Sequence, residues 1–301
     1  MCGRTACSLD PDTLCKKCRF RRSNSSRTIN PKWNKSSGTQ KYTPSYNLAP
    51  GSCSPILIYA ENSEAVIQPM LWGLIPPFVR GDSPFKFSTS NARIESLLEK
   101  PTYGLSMRQG KRCVVLAQGF YEWKTEEGRK QPYYIYPSDP KKLLMMAGVF
   151  AYNKDKDIFS YSVITTDAKG IVSKLHHRMP VVLSTDSEID TWLDAQTIDS
   201  TKAYKYLQQV AKNLKSAPLS AYPVSPRMNS TTYDEPDCIT PLEKVEDRKP
   251  RSPSKAASLM TSFLKRSQER EPEVKPKKLP KEESCEWSLE ATSSSIKKEP
   301  L

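Results

Sequence analysis

The chain has 301 residues, a formal net charge of +13 and 37% hydrophobic residues. Its longest apolar run, Leu143 to Tyr152, is too short to cross a bilayer, and no apolar segment near the N-terminus resembles a signal peptide. We therefore expect a soluble protein that is not secreted by a standard signal. Disulfide frameworks are typical of short secreted chains, so the eight cysteines are expected to be reduced thiols.

The first four residues are Met1-Cys2-Gly3-Arg4. Removal of an initiator methionine requires a small second side chain, so we expect the mature protein to begin at Cys2. Its α-amine and thiol form a 1,2-aminothiol, which condenses with an aldehyde through an imine to a thiazolidine. With pKa values of about 7.7–8.0 for the amine and about 8.5 for the thiol, part of each group is nucleophilic near neutral pH. The alternative is an incidental cysteine at a frayed terminus.

Residues 15–41 contain nine basic residues and no acidic one. Their Ser, Asn and Gly content argues against a helix and predicts a basic arm or loop that follows phosphates. The alternatives are a solvated loop and a localisation signal. Cys15 and Cys18 lie within this segment as a lone C-x-x-C, and the only histidines are far away in sequence, so no metal site is predicted.

The order of apolar runs predicts an α+β fold with a mostly antiparallel sheet or barrel. Helical patterns are also present. The strand-like runs are Pro55 to Tyr59, Ala65 to Trp72, Arg112 to Ala117, Pro132 to Tyr136, Leu143 to Tyr152 and Ile158 to Thr166, and the helical ones Ile94 to Lys100, Asp186 to Asp194 and Thr201 to Lys212. A single domain is expected over residues 1–242. Residues 243–301 have six prolines and two aromatic residues, which predicts a disordered tail.

Several side chains are candidates for chemistry or binding. Glu122 lies among three aromatic residues, which tend to raise a carboxyl pKa toward the value a general acid or base needs, although a strand-end Glu facing water is the alternative. His176 and His177 are the only histidines, and histidine is the side chain type whose ordinary pKa lies closest to neutral pH. Trp72 fits a core residue or a wedge between bases, and the segment containing Asn91 and Arg93 fits a helix start or a sugar-phosphate contact.

Taken together and in order, six motifs resemble the SOS-response-associated peptidase (SRAP) family over roughly residues 2–240. They are Met1-Cys2-Gly3-Arg4, Tyr46-Asn47-Leu48-Ala49-Pro50, Leu71-Trp72-Gly73-Leu74-Ile75-Pro76, Ser90-Asn91-Ala92-Arg93-Ile94-Glu95, Gly119-Phe120-Tyr121-Glu122-Trp123 and His176-His177-Arg178-Met179-Pro180. The resemblance implies a single strand-rich SRAP domain. It excludes the tail, and the basic arm looks like an insertion whose role is not carried over.

The resemblance also implies a function, namely covalent capture of abasic sites in single-stranded DNA as a thiazolidine on Cys2, without a cofactor. Cys2 is then the nucleophile, Asn91 positions Cys2 or the sugar, Glu122 is a general acid or base, and His176 helps to protonate the opening sugar. Phosphate contacts are expected from Arg4, Arg93 and Arg178, and Trp72 and Pro50 are expected near the separated bases. Two alternatives are a cysteine-type peptidase or autopeptidase and a non-catalytic reader of modified bases.

The tail contains a candidate partner site. Met260, Phe263 and Leu264 have the spacing of a sliding-clamp-binding peptide, with Ala257 where the usual glutamine stands. A chance apolar island is the alternative. With the resemblance, this predicts a monomeric nuclear protein at replication forks. Lys297 lies in a segment that fits the short sumoylation consensus.

Overall fold

A computed structural model describes residues 3–23, 28–34, 40–81, 87–126, 128–214 and 218–246. The strands are β1 (Thr5–Cys7), β2 (Phe20–Arg21), β3 (Thr28–Ile29), β4 (Lys32–Trp33), β5 (Ser45–Leu48), β6 (Cys53–Tyr59), β7 (Ala65–Trp72), β8 (Asn91–Arg93), β9 (Arg112–Ala117), β10 (Gly119–Glu126), β11 (Arg129–Pro137), β12 (Leu144–Asn153), β13 (Ile158–Asp167), β14 (Arg178–Pro180) and β15 (Leu219–Pro223). The α-helices are α1 (Pro11–Lys17), α2 (Pro101–Arg108), α3 (Asp186–Leu193), α4 (Ser200–Asn213) and α5 (Leu242–Glu246).

Five of the strands close into a barrel. Antiparallel pairs join β13, β12, β9, β6 and β7 in that order. A parallel pairing between β7 and β13 joins the two ends, with Leu71 opposite Ser160 and Trp72 opposite Tyr161. Closure pairs backbone groups that an open sheet would leave at its edges. The predicted α+β fold with a mostly antiparallel sheet or barrel is confirmed.

The barrel strands are buried on both faces, which explains their nearly continuous apolar sequences. Along β12, Met145, Ala147 and Val149 belong to the apolar cluster that contains the buried residues of α2, α3 and α4. The alternate residues Leu144 and Met146 belong to a second cluster on the opposite face. Because side chains alternate along a strand, one strand contributes to two cores.

A second sheet of five strands, in the order β15-β11-β10-β1-β5, positions the N-terminal segment. Strand β1 pairs antiparallel with β10, with Thr5 opposite Phe120 and Ala6 opposite Gly119. On its other side β1 pairs with β5. Thr5–Cys7 therefore lie between two strands and not at an edge of the sheet.

Two of the predicted helices are confirmed, and their ends have standard caps. Helix α3 begins with a capping box, in which the Thr185 side chain accepts from the backbone N–H of Glu188 and the Glu188 side chain accepts from that of Thr185. Helix α4 begins after Asp199, whose side chain caps it. The predicted helix from Ile94 is wrong, because only a 3-10 turn forms over Ile94–Ser96 and the next α-helix begins at Pro101.

The basic segment 15–41 is more structured than the predicted loop. Its first residues complete α1, β2 pairs with β3, and β4 pairs in parallel with β7. Helix α3 anchors it, because Asp186 accepts from the backbone N–H of Arg21 at 2.9 Å and Asp190 from that of Ser23 at 2.7 Å. Residues 24–27 and 35–39 of this segment lie outside the described residues.

Trp72 is a core residue, which corrects the expectation that it lies near separated bases. Its side chain is 0% exposed, and its ring stacks on that of Tyr161 with centroids 6.2 Å apart. The indole N–H donates to the backbone carbonyl of Ser90 at 3.0 Å. Since the residue lies on a strand of the closed barrel, both of its faces meet protein.

No helix in the described part of the chain is long and apolar enough to span a membrane. The tail residues Met260, Phe263, Leu264 and Lys297 lie outside the described residues, so their predicted roles stay predictions.

Candidate functional site

A cleft of about 460 Å³ opens beside strand β10. It is lined by Glu122, Trp123, Thr125, Lys130, His176 and Asn229. These residues come from β10, from the start of β11, from the loop before β14 and from the 3-10 turn Pro226–Asn229. The structure thus brings together two of the predicted site residues, Glu122 and His176, which are 54 positions apart in the sequence.

Glu122 is an acid in an unusual environment. Its side chain lies on the same face of β10 as the buried Phe120, and the residue is 1% exposed. Burial raises the pKa of Glu122 to about 7, against the opposing positive charge of the amino terminus. Near neutral pH this carboxyl therefore both gives up and takes a proton readily, which suits a general acid or base.

His176 faces Glu122 across the cleft, with its Nδ1 3.9 Å from Oε2 of the carboxyl group. The same Nδ1 accepts a hydrogen bond from the backbone N–H of Arg178 at 3.0 Å. The carbonyl oxygen of Arg178 lies 3.2 Å from the same Nδ1 and accepts from it in the tautomer that carries the proton there, so Arg178 orients the ring in either form. Burial, assisted by nearby positive charge, lowers the pKa of His176, so the neutral ring prevails near pH 7.

Arg178 turns inward, which argues against the expected contact with a DNA phosphate. The residue is 5% exposed. Its guanidinium forms two parallel hydrogen bonds to Glu95, at 2.8 and 2.9 Å, and others to Asp167 at 2.7 Å and to the carbonyl of Thr165 at 2.8 Å. A phosphate would have to displace these partners. The arrangement instead fixes β14 and hence the backbone N–H that orients His176.

Arg4 is half-buried and is also bound by protein groups. Its guanidinium donates to Oδ1 of Asn47 at 2.6 Å, to the carbonyl of Met228 at 3.0 Å and to that of Asn229 at 3.2 Å. It lies 5.9 Å from the centre of the Trp123 ring. These contacts favour a role in holding the N-terminal segment over the expected phosphate contact.

Cys2 lies outside the described residues. The backbone carbonyl of Arg4 accepts from the backbone N–H of Tyr121 at 3.0 Å, directly before Glu122. The described part of the N-terminal segment is therefore paired with the stretch of β10 that carries Glu122.

The other predicted residues occupy different places. Asn91 is half-buried on β8, beside β13, and Tyr103 donates to its carbonyl at 3.1 Å. Arg93 ends the same strand and is exposed, as a phosphate contact requires. Pro50 is half-buried in a turn whose next residue, Gly51, donates its N–H to the carbonyl of Trp72 at 2.8 Å. None of these three is among the described residues that line the cleft.

Sequence reasoning missed Phe78, the most exposed large hydrophobic side chain in the described ranges, at 55%. Asn153 anchors its loop by donating to the carbonyls of Pro76 and Val79 at 2.8 and 2.9 Å. An aromatic ring on an anchored loop is a platform on which a base stacks. The available signal was its position directly after a Pro-Pro pair, where a turn exposes the next side chain.

Among the residues with described positions, no group of three or more His, Cys, Asp or Glu side chains is arranged to hold a metal ion. Burial raises the pKa of both Cys15 and Cys18, which disfavours the thiolate forms that bind metals.

The chain and its fold are those of a known class of protein. The family model for SOS response associated peptidase (SRAP) matches residues 1–231, and the chain belongs to this family. The SRAP resemblance inferred from the motifs is confirmed.

Named relatives extend the comparison. The chain is 37% identical over 311 residues to the abasic site processing protein HMCES of Gallus gallus, covering 93% of this chain and 89% of that protein. It is 31% identical over 202 residues to the abasic site processing protein YoqW of Bacillus subtilis, covering 66% of this chain and 87% of that one. A crystal structure of a protein from Bacteroides thetaiotaomicron shares the fold, with a TM-score of 0.61, 22% identity and coverage of 80% of this chain and 99% of that one.

The buried acid makes stability depend on pH. The pKa of Glu122 is raised from 4.5 to about 7 on folding, so between these values the folded state holds a proton that the unfolded state has lost. Stability from this group is fully present below pH 4.5 and is lost as the pH rises through 7. Between pH 4.5 and 7.5, the free energy of unfolding of wild type should therefore fall by up to about 3 kcal/mol relative to that of Glu122→Gln. Urea unfolding at several pH values measures this difference.

The comparison isolates Glu122 because both proteins retain His176, whose lowered pKa makes stability rise with pH instead. Glu64→Gln is the control, because the Glu64 carboxylate is exposed and paired with Lys32. Its free energy of unfolding should not rise relative to wild type between pH 4.5 and 7.5. If the free energy of unfolding of wild type and of Glu122→Gln changed with pH in parallel, the assignment of a buried, protonated acid would be contradicted.

Proposed function

We propose that this protein processes abasic sites in DNA by capturing them covalently on Cys2. The observation that carries the proposal is that β1 leads the N-terminal segment to the strand bearing Glu122, a buried carboxyl whose pKa is raised to about 7. Membership of the SRAP family and the names of the relatives support the same function.

The chemistry follows from a 1,2-aminothiol and an aldehyde. The α-amine of Cys2 adds to the C1′ aldehyde of the ring-opened abasic sugar, and loss of one water gives an imine. The Cys2 sulfur then adds to the imine carbon, and the thiol proton passes to nitrogen, which closes a thiazolidine. Glu122 is suited to moving protons at the amine and the departing water, and His176 to giving a proton to the opening sugar. The product removes the aldehyde that promotes strand cleavage by β-elimination.

Single-stranded DNA is the substrate form that the surface fits best. The net charge of +13 favours a polyanion. Exposed Arg93 is available for a phosphate, and the ring of Phe78 for a base, but stacking requires a base that is not already stacked in a duplex.

Cys2→Ser should abolish the stable adduct, because a hydroxyl does not close a comparably stable ring and leaves only a reversible imine. A variant that retains an N-terminal tag should fail as well, because its α-amine is no longer on Cys2. Intact-mass spectrometry after incubation with an abasic single-stranded oligonucleotide measures the adduct, which weighs one water less than the two reactants together.

Cys53→Ser is the matched control, since Cys53 is a half-buried thiol on β6 and should leave adduct formation unchanged. An adduct that forms as fast on tagged protein as on the mature form would contradict the proposed mechanism.

Arg93→Ala should weaken binding to single-stranded DNA and reduce its salt dependence by about one counterion. Phe78→Ala should weaken it by about 1–3 kcal/mol through lost stacking, without changing the salt slope. Binding isotherms at several salt concentrations separate the two effects. Arg80→Ala removes an exposed cation that already pairs with Asp155 and serves as the control. An Arg93 variant that binds like wild type at every salt concentration would show that Arg93 does not contact the DNA.

For the tail, we infer a second contact, with the replication clamp, which would place the protein at forks in the nucleus. The basis is the spacing of Met260, Phe263 and Leu264 alone. A peptide of residues 253–268 should bind a sliding clamp with micromolar affinity by calorimetry, and Met260→Ala with Phe263→Ala should abolish binding. Absence of heat at high clamp concentration would exclude the contact.

A further inference from the structure

Asn47 on β5 is a buried polar residue at the centre of a network that reaches the N-terminal segment. It is 4% exposed. Its amide nitrogen lies 3.0 Å from the carbonyl oxygen of Met228, 2.9 Å from that of Ser230 and 2.6 Å from that of Tyr233. On its other side Oδ1 accepts from the Arg4 guanidinium at 2.6 Å.

Chemistry fixes the orientation of this amide. A guanidinium only donates hydrogen bonds and carbonyl oxygens only accept them, so the oxygen of Asn47 must face Arg4 and the nitrogen must face the three carbonyls. A flipped amide would place donor against donor and acceptor against acceptor. Asn47 therefore joins Arg4 to the segment 228–233 in one geometry.

The network continues into the cleft. The carbonyls of Met228 and Asn229 also accept from Arg4, and the Asn229 side chain accepts from the indole N–H of Trp123 at 2.7 Å. Trp123 and Asn229 line the cleft with Glu122. The contacts that immobilise Arg4 thus come from residues more than 40 positions away and end at the wall of the site.

We propose that Asn47 is a positioning residue for the reaction of Cys2: by fixing Arg4, it holds the amino end of the chain against Glu122. The inference rests on the proposed function. Backbone pairing holds Thr5–Cys7 and the carbonyl of Arg4, and the bonds of the Arg4 side chain add a second attachment at the last residues of this pairing. Chain ends fray unless they are tied down.

The expected effect is on rate, not on affinity. Orienting a nucleophile beside its proton-transfer partner lowers the barrier, because the translational and rotational entropy is lost before the reaction. A displacement of about 1 Å slows the reaction roughly a hundredfold. Binding of undamaged DNA needs no nucleophile. A purely structural Asn47 would lower the free energy of unfolding and leave the chemistry of the folded protein unchanged.

The test uses the full-length protein carrying Asn47→Ser, whose shorter side chain does not span Arg4 and the three carbonyls. At saturating abasic DNA, single-turnover adduct formation should slow by about tenfold or more. Affinity for undamaged DNA of the same length should stay within about twofold, well under the tenfold that 1.4 kcal/mol represents.

A second readout does not need DNA. Two of the groups that face Glu122 are His176 and the positively charged amino terminus, and the charge of the amino terminus lowers the pKa of Glu122 against the effect of burial. If Asn47→Ser releases the amino end, the pKa of Glu122 should rise, and NMR titration of its carboxyl carbon measures this. Asn153→Ser is the matched control. Asn153 is 0% exposed and likewise donates to two loop carbonyls, and its replacement should leave the Glu122 titration unchanged.

If Asn47→Ser does not fold, Arg4→Lys tests the same contact from the other side. Lysine keeps the charge but not the forked geometry that reaches Asn47 and two carbonyls together. Arg4→Lys should therefore also slow adduct formation and raise the pKa of Glu122. A folded variant with wild-type rate and wild-type Glu122 titration would overturn the proposal, as would an equal pKa shift in Asn153→Ser. If wild type forms no adduct, the proposed function fails, while the Glu122 titration still decides the role of Asn47.

Discussion

The pairing of β1 with β10 is the interaction on which the site depends. Three residues, Thr5–Cys7, lie between β10 and β5, and this places the N-terminal segment in the interior of a sheet. The register sets Thr5 opposite Phe120, so the chain before it runs toward Glu122. Without this pairing, the N-terminal segment and Glu122 would belong to unconnected parts of the fold.

Burial then gives the acid its chemistry. Glu122 is held on a central strand, where loss of solvent raises its pKa to about 7, and His176 stands 3.9 Å away with its pKa lowered by burial. The two shifts run in opposite directions, so the carboxyl becomes a weaker acid and the imidazole a weaker base than either group is in water. Arg178 supports this indirectly, because its bonds to Glu95 and Asp167 fix the backbone that orients His176.

The polar network around Arg4 shows that one residue type serves different purposes in different surroundings. Arg4, Arg93 and Arg178 all fit phosphate contacts when judged by charge alone. In the structure the guanidinium groups of Arg4 and Arg178 donate to protein oxygen atoms, and Arg93 is exposed. Desolvating a guanidinium without such partners would be costly, so burial and pairing go together.

The sequence by itself determined the local and chemical parts of this protein. Apolar runs such as Leu143 to Tyr152 predicted strands because burial on both faces leaves a continuous pattern. Glu122 was identified because its aromatic neighbours raise a carboxyl pKa, and His176 was chosen over His177 from the pattern His-x-Arg-Met-Pro of the family that the chain resembles. Only the tertiary structure decided which side chains meet solvent. Trp72 and Phe78 are six residues apart and equally apolar, yet barrel closure buries one and a loop exposes the other. The bond between Asn47 and Arg4 was equally invisible, because exposure and pairing depend on contacts between residues far apart in the chain, which no local pattern encodes.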